Sequence, residues 1–280
     1  MKSLSIKIIS KVDVVILNWN TGTFLQECVQ SVIDYGYGSV GKIIVVDNDS
    51  TDDSLSIVEK MSQITLIKNK ENYGTAKGWN IGANFAESEY ILFLNPDARV
   101  YKDTLRMCLD FLNDQQNQDV GIMGVNLHDA HGEIATTCSR FPSTLNIFSH
   151  ATGLDRIIPS LGQPMKEFDH LNIRLVDQTI GAFFFLRKHV FDELTGFDER
   201  FFVYYEEVDF CYRAKLKGWK TKHCGEILAF HQGEVSSSKV LPQRLFYHLR
   251  SKLLYVFKNF RFFNLVVAVL LVLIVEPIPR

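Results

Sequence analysis

Residues 90–100 read YILFLNPDARV. Tyr90 to Leu94 form an aromatic and aliphatic run of the kind that makes a strand buried on both faces. The run ends in Asn95-Pro96-Asp97, three residues that each favour turns. Two readings stand at this point. One is a tight turn; the other is a carboxylate carried by a buried strand to a cation that holds phosphates.

The same arrangement recurs upstream and decides the fold class. Val12–Leu17 is a β-branched run followed by Asn18-Trp19-Asn20, and Lys42–Val46 is a second run ending at Asp47. Ile64–Ile67 reads as a third strand. Helical patterns lie between them, at about Gly22 to Tyr35, from a cap at Thr51 or Asp52 to Met61, and at Tyr73 to Ala86. Short apolar strands alternating with amphipathic helices predict an α/β fold, with a mostly parallel central sheet flanked by helices. Ligands of such sheets sit beyond the carboxyl ends of the strands. Three strand ends bearing polar groups therefore weigh toward a site. In the second half, Asp119–Val125, Glu133–Cys138, Thr179–Leu186 and Ile227–His231 read as strands. Glu206–Lys217 reads as a helix stopped by Gly218, and 141–175 as loop-rich.

The chain has 280 residues, 46% of them hydrophobic, enough for one large core or two smaller halves. A net charge of −2 gives no reason to expect a nucleic-acid partner. The five cysteines (28, 108, 138, 211 and 224) are scattered, with no C-x-x-C pair. That spacing argues against a disulfide framework or a zinc site, and for a reducing compartment. The N-terminus lacks an apolar h-region and a cleavage site, so a cytoplasmic location is expected.

Several side chains stand out by type and position. Asp47, directly after a strand, suits hydrogen bonds from a nucleobase or ribose, while Asp52 suits capping. Gly74, Gly78 and Gly82 recur at four-residue spacing in a helix, where each glycine costs about 1 kcal/mol relative to alanine. Close helix-on-sheet packing accounts for Gly82. Gly74 and Lys77, near the helix start, can instead face a diphosphate. In FFVYYEEVDFCYRAKLKGW (201–219), Asp209 and Arg213 are spaced to pair along one helix face. That leaves Glu206 and Glu207 as candidate general bases. His231 ends a strand, and a neutral imidazole is a competent metal ligand beside Asp97.

Taken together and in order, VVILNWN, VVDNDSTDDS, NYGTAKGWNIGAN, FLNPDA, GFDERFFVYYEEVDFCYRAKLKGW and FHQG resemble the family 2 glycosyltransferases of GT-A fold, from about Val12 to Lys258. Within that family the chain is most similar to bacterial rhamnosyltransferases. The resemblance implies a nucleotide-sugar-binding half at 1–125 and an acceptor-binding and catalytic half at 126–235, followed by a C-terminal segment at 236–280. It implies that Asn18 and Asp47 contact the nucleotide and that Asn80 helps hold the diphosphate; Glu206, beside the candidate base, is expected on the substrate side. Asn95 and Asp97 occupy the D-x-D metal motif, with asparagine in place of the first acid. His231 matches the metal-binding histidine, and Glu207, one methylene longer than the usual Asp, matches the catalytic base. The implied cofactor is Mg2+ or Mn2+. The implied reaction is a single inverting displacement from a dTDP- or UDP-sugar, L-rhamnose foremost, onto a glycan or a polyprenyl-diphosphate-linked saccharide. A sugar nucleotidyltransferase is disfavoured because Asn18-Trp19-Asn20-Thr21-Gly22 stands where a glycine-rich, lysine-bearing loop belongs. A nucleotide-sugar-binding protein with a degenerate site is kept open by Asn95.

The C-terminal segment differs in character. Residues 235–275 hold six Lys and Arg and no Asp or Glu. Leu241, Leu245, Leu249, Val256 and Phe260 fall in one helical arc, with Arg244, Arg250, Lys258 and Arg261 on the other side and Lys252 breaking the pattern. The apolar run Phe262–Val275 is shorter than the roughly 18–20 residues of a spanning helix. The expectation is a basic amphipathic segment lying in a membrane interface, on the inner face of the plasma membrane. The rival is a helix docked on the core or on a second subunit.

Overall fold

The structure is a computed structural model and describes residues 10–233 and 241–275. Lys239, counted above among the basic residues of the tail, lies outside the described residues, as does the extreme N-terminus. Val12–Asn18 (β1), Val40–Asp47 (β2), Ile64–Lys68 (β3) and Tyr90–Leu94 (β4) pair in parallel in the order β3-β2-β1-β4. The crossovers carry Phe24–Tyr35 (α1), Leu55–Val58 (α2) and Gly74–Ala83 (α3). Successive strand residues point to opposite faces. Thus Val14 and Ile16 enter one core while Val15 enters the other.

Beyond β4 the sheet becomes mixed. The following elements are Ala98–Val100 (β5), Thr104–Asn113 (α4), Val120–His128 (β6), Cys138–Ser139 (β7), Thr144–Thr152 (α5) and Leu154–Ile157 (α6). Next come Ile173–Val176 (β8), Gln178–Thr179 (β9), Phe183–Arg187 (β10), Lys188–Glu193 (α7), Glu206–Leu216 (α8) and Lys220–His231 (β11). The path continues β4-β10-β6-β11-β5. β10 runs antiparallel to both neighbours, and β11 is parallel to β6 but antiparallel to β5 and β8. The sheet is thus continuous across residues 125 and 126, inside β6, and β11 of the second half pairs with β5 of the first.

One face of the sheet is covered by α1 and α4, the other by α3, α7 and α8. On the second face the glycines of α3 serve packing. A Cβ on Gly78 would stand 2.5 Å from a Leu17 methyl, and one on Gly82 would stand 2.4 Å from Val15 Cγ1. Only glycine lets the helix sit that close to β1.

The second half departs from expectation in three places. Glu133–Cys138 is not a strand: Ile134 makes one isolated bridge to His128, and only Cys138–Ser139 pairs, with β9. The run Thr179–Leu186 breaks at Gly181, whose missing Cβ leaves room for the Trp79 ring, 2.7 Å from where that atom would be. The loop-rich stretch contains α5, whose start carries a capping box between Ser143 and Asn146.

The tail needs the largest correction. Leu241–Asn259 (α9) docks on the core. Tyr255 and Val256 are fully buried, Ser251 Oγ donates to Val203 O at 2.8 Å, and Lys258 Nζ reaches both Asp198 Oδ2 (2.7 Å) and Asp209 Oδ1 (2.6 Å). Lys252 is also buried, while Leu245 is exposed. The basic and apolar faces are therefore not divided as the helical arc predicts. Asp198 and Asp209 on the core draw Lys258 inward. Phe262–Leu270 (α10) and a π-helical turn at Leu271–Val275 follow, packed through Ala268 and Val272 on Val256 and on Ile147 of α5.

Candidate active site

The carboxyl ends of β1, β2 and β4 lie side by side, with Asn18 opposite Asp47 and Ile16 opposite Leu94. A cavity of about 680 Å3 opens there, its walls including Trp19, Asn48, Asn72, Asp97 and Phe202. Asn95 to Ala98 form a hydrogen-bonded turn, Ala98 N donating to Asn95 O at 3.0 Å. Turn and site coincide: the turn aims Asp97 into the cavity.

β5 and β11 then bring His231 beside it. His231 pairs with Ala98 in register, and Gln232 N donates to Asp97 O at 3.0 Å. His231 Nε2 lies 3.3 Å from Asp97 Oδ1 and 3.4 Å from Asn95 Nδ2, and all three residues line the cavity. Asp97 is 7% exposed. An octahedral ion with bonds of about 2.1 Å sets neighbouring donors about 3.0 Å apart. The spacing of carboxylate and imidazole therefore fits a divalent cation, and the Asn95 amide presents its oxygen after a flip that exchanges atoms of similar size. The three expected metal ligands are brought together.

The expected nucleotide contacts are placed differently. Asn18 and Asp47 are buried and bonded to each other, Asn18 Nδ2 donating to Asp47 Oδ1 at 2.8 Å. Asn18 also donates to Ser50 and Ser54 and accepts from Thr21, while Asp47 accepts from the Ser50 amide and hydroxyl. These two residues brace the loops behind the cavity wall. Their neighbours Trp19 and Asn48 form the wall itself.

Asn80 is also engaged within the protein. Its amide donates to Phe197 O (2.9 Å) and Glu199 Oε1 (3.1 Å) and accepts from Phe197 N (2.9 Å), so it ties α3 to the 196–199 loop. Both of its side-chain N–H groups are engaged there, and Asn80 is not part of the cavity wall. Lys77 lays its ammonium over the Tyr73 ring at 4.0 Å and is not part of the wall. Gly74 and Thr75 at the α3 N-terminus are part of it. Gly74 has φ +79°, and a Cβ there would strike Phe202 O.

Glu206 and Glu207 open α8 just past the wall residue Tyr204. Tyr204 (φ 67°) and Tyr205 (φ 69°) are both left-handed, a costly conformation for bulky residues. Burial of Tyr205 against the rings of His248 and Tyr255 holds it. Neither glutamate is itself among the wall residues. Each has an Oε2 atom that is buried without a hydrogen-bond partner. Burial raises both carboxyls, Glu206 well above the ordinary range with the Glu207 charge adding to the effect, and Glu207 to about 7. Asp209 is structural, as its spacing predicts: Arg213 Nε donates to its Oδ2 at 2.7 Å.

Sequence reasoning missed the wall contributed by α9. Gln243, Arg244 and Tyr247 line the cavity, and Tyr247 stacks on Phe202 at 4.6 Å. Arg244 belonged by helical arc to the outward basic face. Its placement depends on how α9 docks, which local pattern does not encode.

Residues 13–194 match the family described as "Glycosyl transferase family 2". That stretch includes Asn18, Asp47, Asn80 and Asp97 but not Glu206, Glu207 or His231. The chain is 26% identical over 204 residues to the low-salt glycan biosynthesis hexosyltransferase Agl10 of Haloferax volcanii, covering 71% of this chain. It spans 62% of that relative's length, less than two-thirds. It is also 26% identical over 227 residues to the rhamnosyltransferase WbbL of Escherichia coli, covering 76% of this chain and 81% of the relative. Among solved structures, a mannosyltransferase from Pyrobaculum calidifontis in complex with GDP-Man and Mn2+ superimposes with a TM-score of 0.61 at 16% identity, over 94% of this chain and 70% of the other. That likeness bears out the expected fold.

Proposed function

The chain belongs to glycosyl transferase family 2, and from that premise we propose that it is an inverting, cation-dependent transferase moving a sugar, L-rhamnose foremost, from a nucleotide-sugar to a hydroxyl of a glycan or lipid-linked saccharide. One observation carries this reading. Asn95, Asp97 and His231, distant in sequence, meet at the wall of a 680 Å3 cavity that also includes the α3 N-terminus.

Asp97 and His231, with Asn95, would hold Mg2+ or Mn2+, and imidazole favours Mn2+. An ion held by these residues would supply a Lewis acid to offset the charge on the departing nucleoside diphosphate. The positive end of α3, at Gly74 and Thr75, adds to that offset. Arg244 brings a further cation to the same wall. Trp19 offers a ring face for the base, and Asn72, whose Oδ1 is taken by Asn48 and Gly74 N, offers its amide N–H groups for the nucleoside.

Glu207 takes the proton of the acceptor hydroxyl as its oxygen attacks the anomeric carbon from the side opposite the diphosphate. A carboxylate raised to about 7 is matched to that role near neutrality. The rhamnosyl preference draws support from the WbbL likeness, and the cation from the Mn2+ in the mannosyltransferase complex.

A lipid-linked acceptor is supported by α10. Phe262 and Phe263 are 72% and 83% exposed, with Val266, Val267 and Leu270 exposed beside them. Among the described residues no helix is long and apolar enough to cross a membrane. The exposed side of α10 suits an interfacial position on the inner membrane leaflet instead.

The test is release of nucleoside diphosphate when purified protein meets a panel of dTDP-, UDP- and GDP-sugars and membrane lipid extract, with and without Mn2+. Turnover with at least one donor, abolished by Asp97→Ala, is expected. Donor-induced thermal stabilisation without turnover for any donor would replace the enzyme reading with a binding protein.

A further inference from the structure

A second group of metal-ligating side chains lies apart from this cavity. Cys138 comes from β7, His170 from the loop before β8, and His223 from β11. None of them lines the 680 Å3 cavity. All three are buried, at 0%, 3% and 0% exposure. The Cys138 sulfur and one ring nitrogen of each histidine lie within 4.8 Å of one another.

The hydrogen bonding specifies which nitrogens are available. His170 Nε2 lies 3.1 Å from Met165 O, and His223 Nε2 lies 2.8 Å from His170 O. A carbonyl oxygen only accepts, so both Nε2 atoms carry the proton. Each Nδ1 is then a bare lone pair, and both are buried without a hydrogen-bond partner. Two orphaned acceptors in one apolar enclosure are costly unless something satisfies them. Ring N–H groups anchored on carbonyls, with the opposite nitrogens left open, form the outer-shell pattern that orients metal-bound histidines. Burial lowers the pKa of both rings and keeps them neutral, as ligation requires.

We propose that Cys138, His170 and His223 form a buried structural site for Zn2+, with one thiolate and two imidazole Nδ1 ligands filling three corners of a tetrahedron. The soft sulfur and the imidazoles select a transition ion over Mg2+ or Ca2+. Zn–N bonds of about 2.0 Å and a Zn–S bond of about 2.3 Å place such ligands roughly 3.3–3.5 Å apart. The side chains therefore draw together on loading. Burial pushes the Cys138 thiol up to about 12, so the metal-free chain carries a neutral thiol. As the S–Zn bond forms, that proton leaves to solvent. Met165 and Val176 pack on Cys138 and also line a second cavity of about 320 Å3, which gives the ion an approach. Bound there, the ion ties β7 and the 165–172 loop to β11. The site is independent of the transfer reaction.

Cobalt is the probe. Full-length protein is stripped by chelator and titrated with Co2+, then with Zn2+. The expected result is a near-ultraviolet thiolate-to-cobalt absorption and intense tetrahedral visible bands at one equivalent, displaced by Zn2+, with a melting temperature several degrees higher in Zn2+. His231→Ala keeps these signals and Cys138→Ala loses them. No thiolate band in Co2+-saturated wild-type protein overturns the proposal, whatever the variants do. So does a band that persists in Cys138→Ala.

Discussion

Glu207 combines a buried, unpartnered carboxylate oxygen with a place in the first turn of α8, where the helix dipole favours its charge. Glu207→Gln keeps the shape and removes the basicity. Turnover is expected to fall at least a hundredfold while nucleotide binding, read by calorimetry, is retained. A base must be ionised, so wild-type kcat/KM should fall about tenfold per pH unit below about 7. Near-normal turnover of the variant would remove Glu207 from the role. The same shift has a consequence for stability. The folded carboxyl is raised from 4.5 to about 7, so the proton it holds favours the fold below about pH 4.5, and that advantage is lost as pH rises through 7. Glutamine never ionises. Glu207→Gln should therefore melt higher than wild type at pH 8.5, by at most about 3 kcal/mol and less where water screens the charge, and nearly equally at pH 4.5. Thermal melts at both pH values check this. Of the nine side chains singled out for the site, the sequence was legible where a residue sits on a turn that aims it. Asp97 and Asn95 follow directly from the end of β4. Asn18, Asp47 and Asn80 have the right chemistry for a ligand, yet nearby polar groups claim it, and only coordinates reveal those partners.

Elements were legible where periodicity is strong and both faces are buried. β1, β2 and β4 carry apolar runs buried on both faces, β3 is a half-buried edge strand read from its short apolar run, and α3 announces its packing through glycines. Gly82→Ala is expected to cost about 1–2 kcal/mol net in urea unfolding, because overpacking against Val15 outweighs the gain in helix propensity. An unchanged midpoint would mean that the helix can shift away from β1 at no cost. Short elements were poorly legible. The stretch Glu133–Cys138 has strand-forming residues, but it follows a turn at Asp129–Gly132 and meets β6 only at the Ile134–His128 bridge and the bond from Ala135 N to Leu127 O. α5 did have a local signal in its Ser143–Asn146 capping box, overlooked because its apolar pattern is weak.

At the scale of the whole molecule, the tail shows tertiary packing overriding local pattern. α9 reads as a surface helix by composition, yet Tyr255 and Val256 are fully buried and Lys258 bridges to Asp198 and Asp209. α10 keeps its exposed apolar side. The paired substitutions Phe262→Ser and Phe263→Ser, at sites mostly open to solvent, should leave the fold intact and lower partitioning onto anionic vesicles at least tenfold. Vesicle flotation measures this, and unchanged flotation would sink the membrane role of α10. All five cysteines are free and buried. The same scattered spacing argued against zinc, because C-x-x-C signatures detect only ligands that are close in sequence. Cys138, His170 and His223 come from separate elements and meet only in the folded chain.

By itself the sequence determined the alternation of strand and helix, the parallel half of the sheet and the three polar strand ends, because each follows from local periodicity and turn chemistry. Tertiary structure alone decided which polar groups remain open to a ligand, that α9 closes one wall of the cavity, and that His231 stands beside Asp97. Those outcomes depend on pairings between β5 and β11 and between α9 and the core, more than a hundred residues apart in the first case. Such contacts are chosen by the free energy of the whole packed molecule, which no short stretch contains.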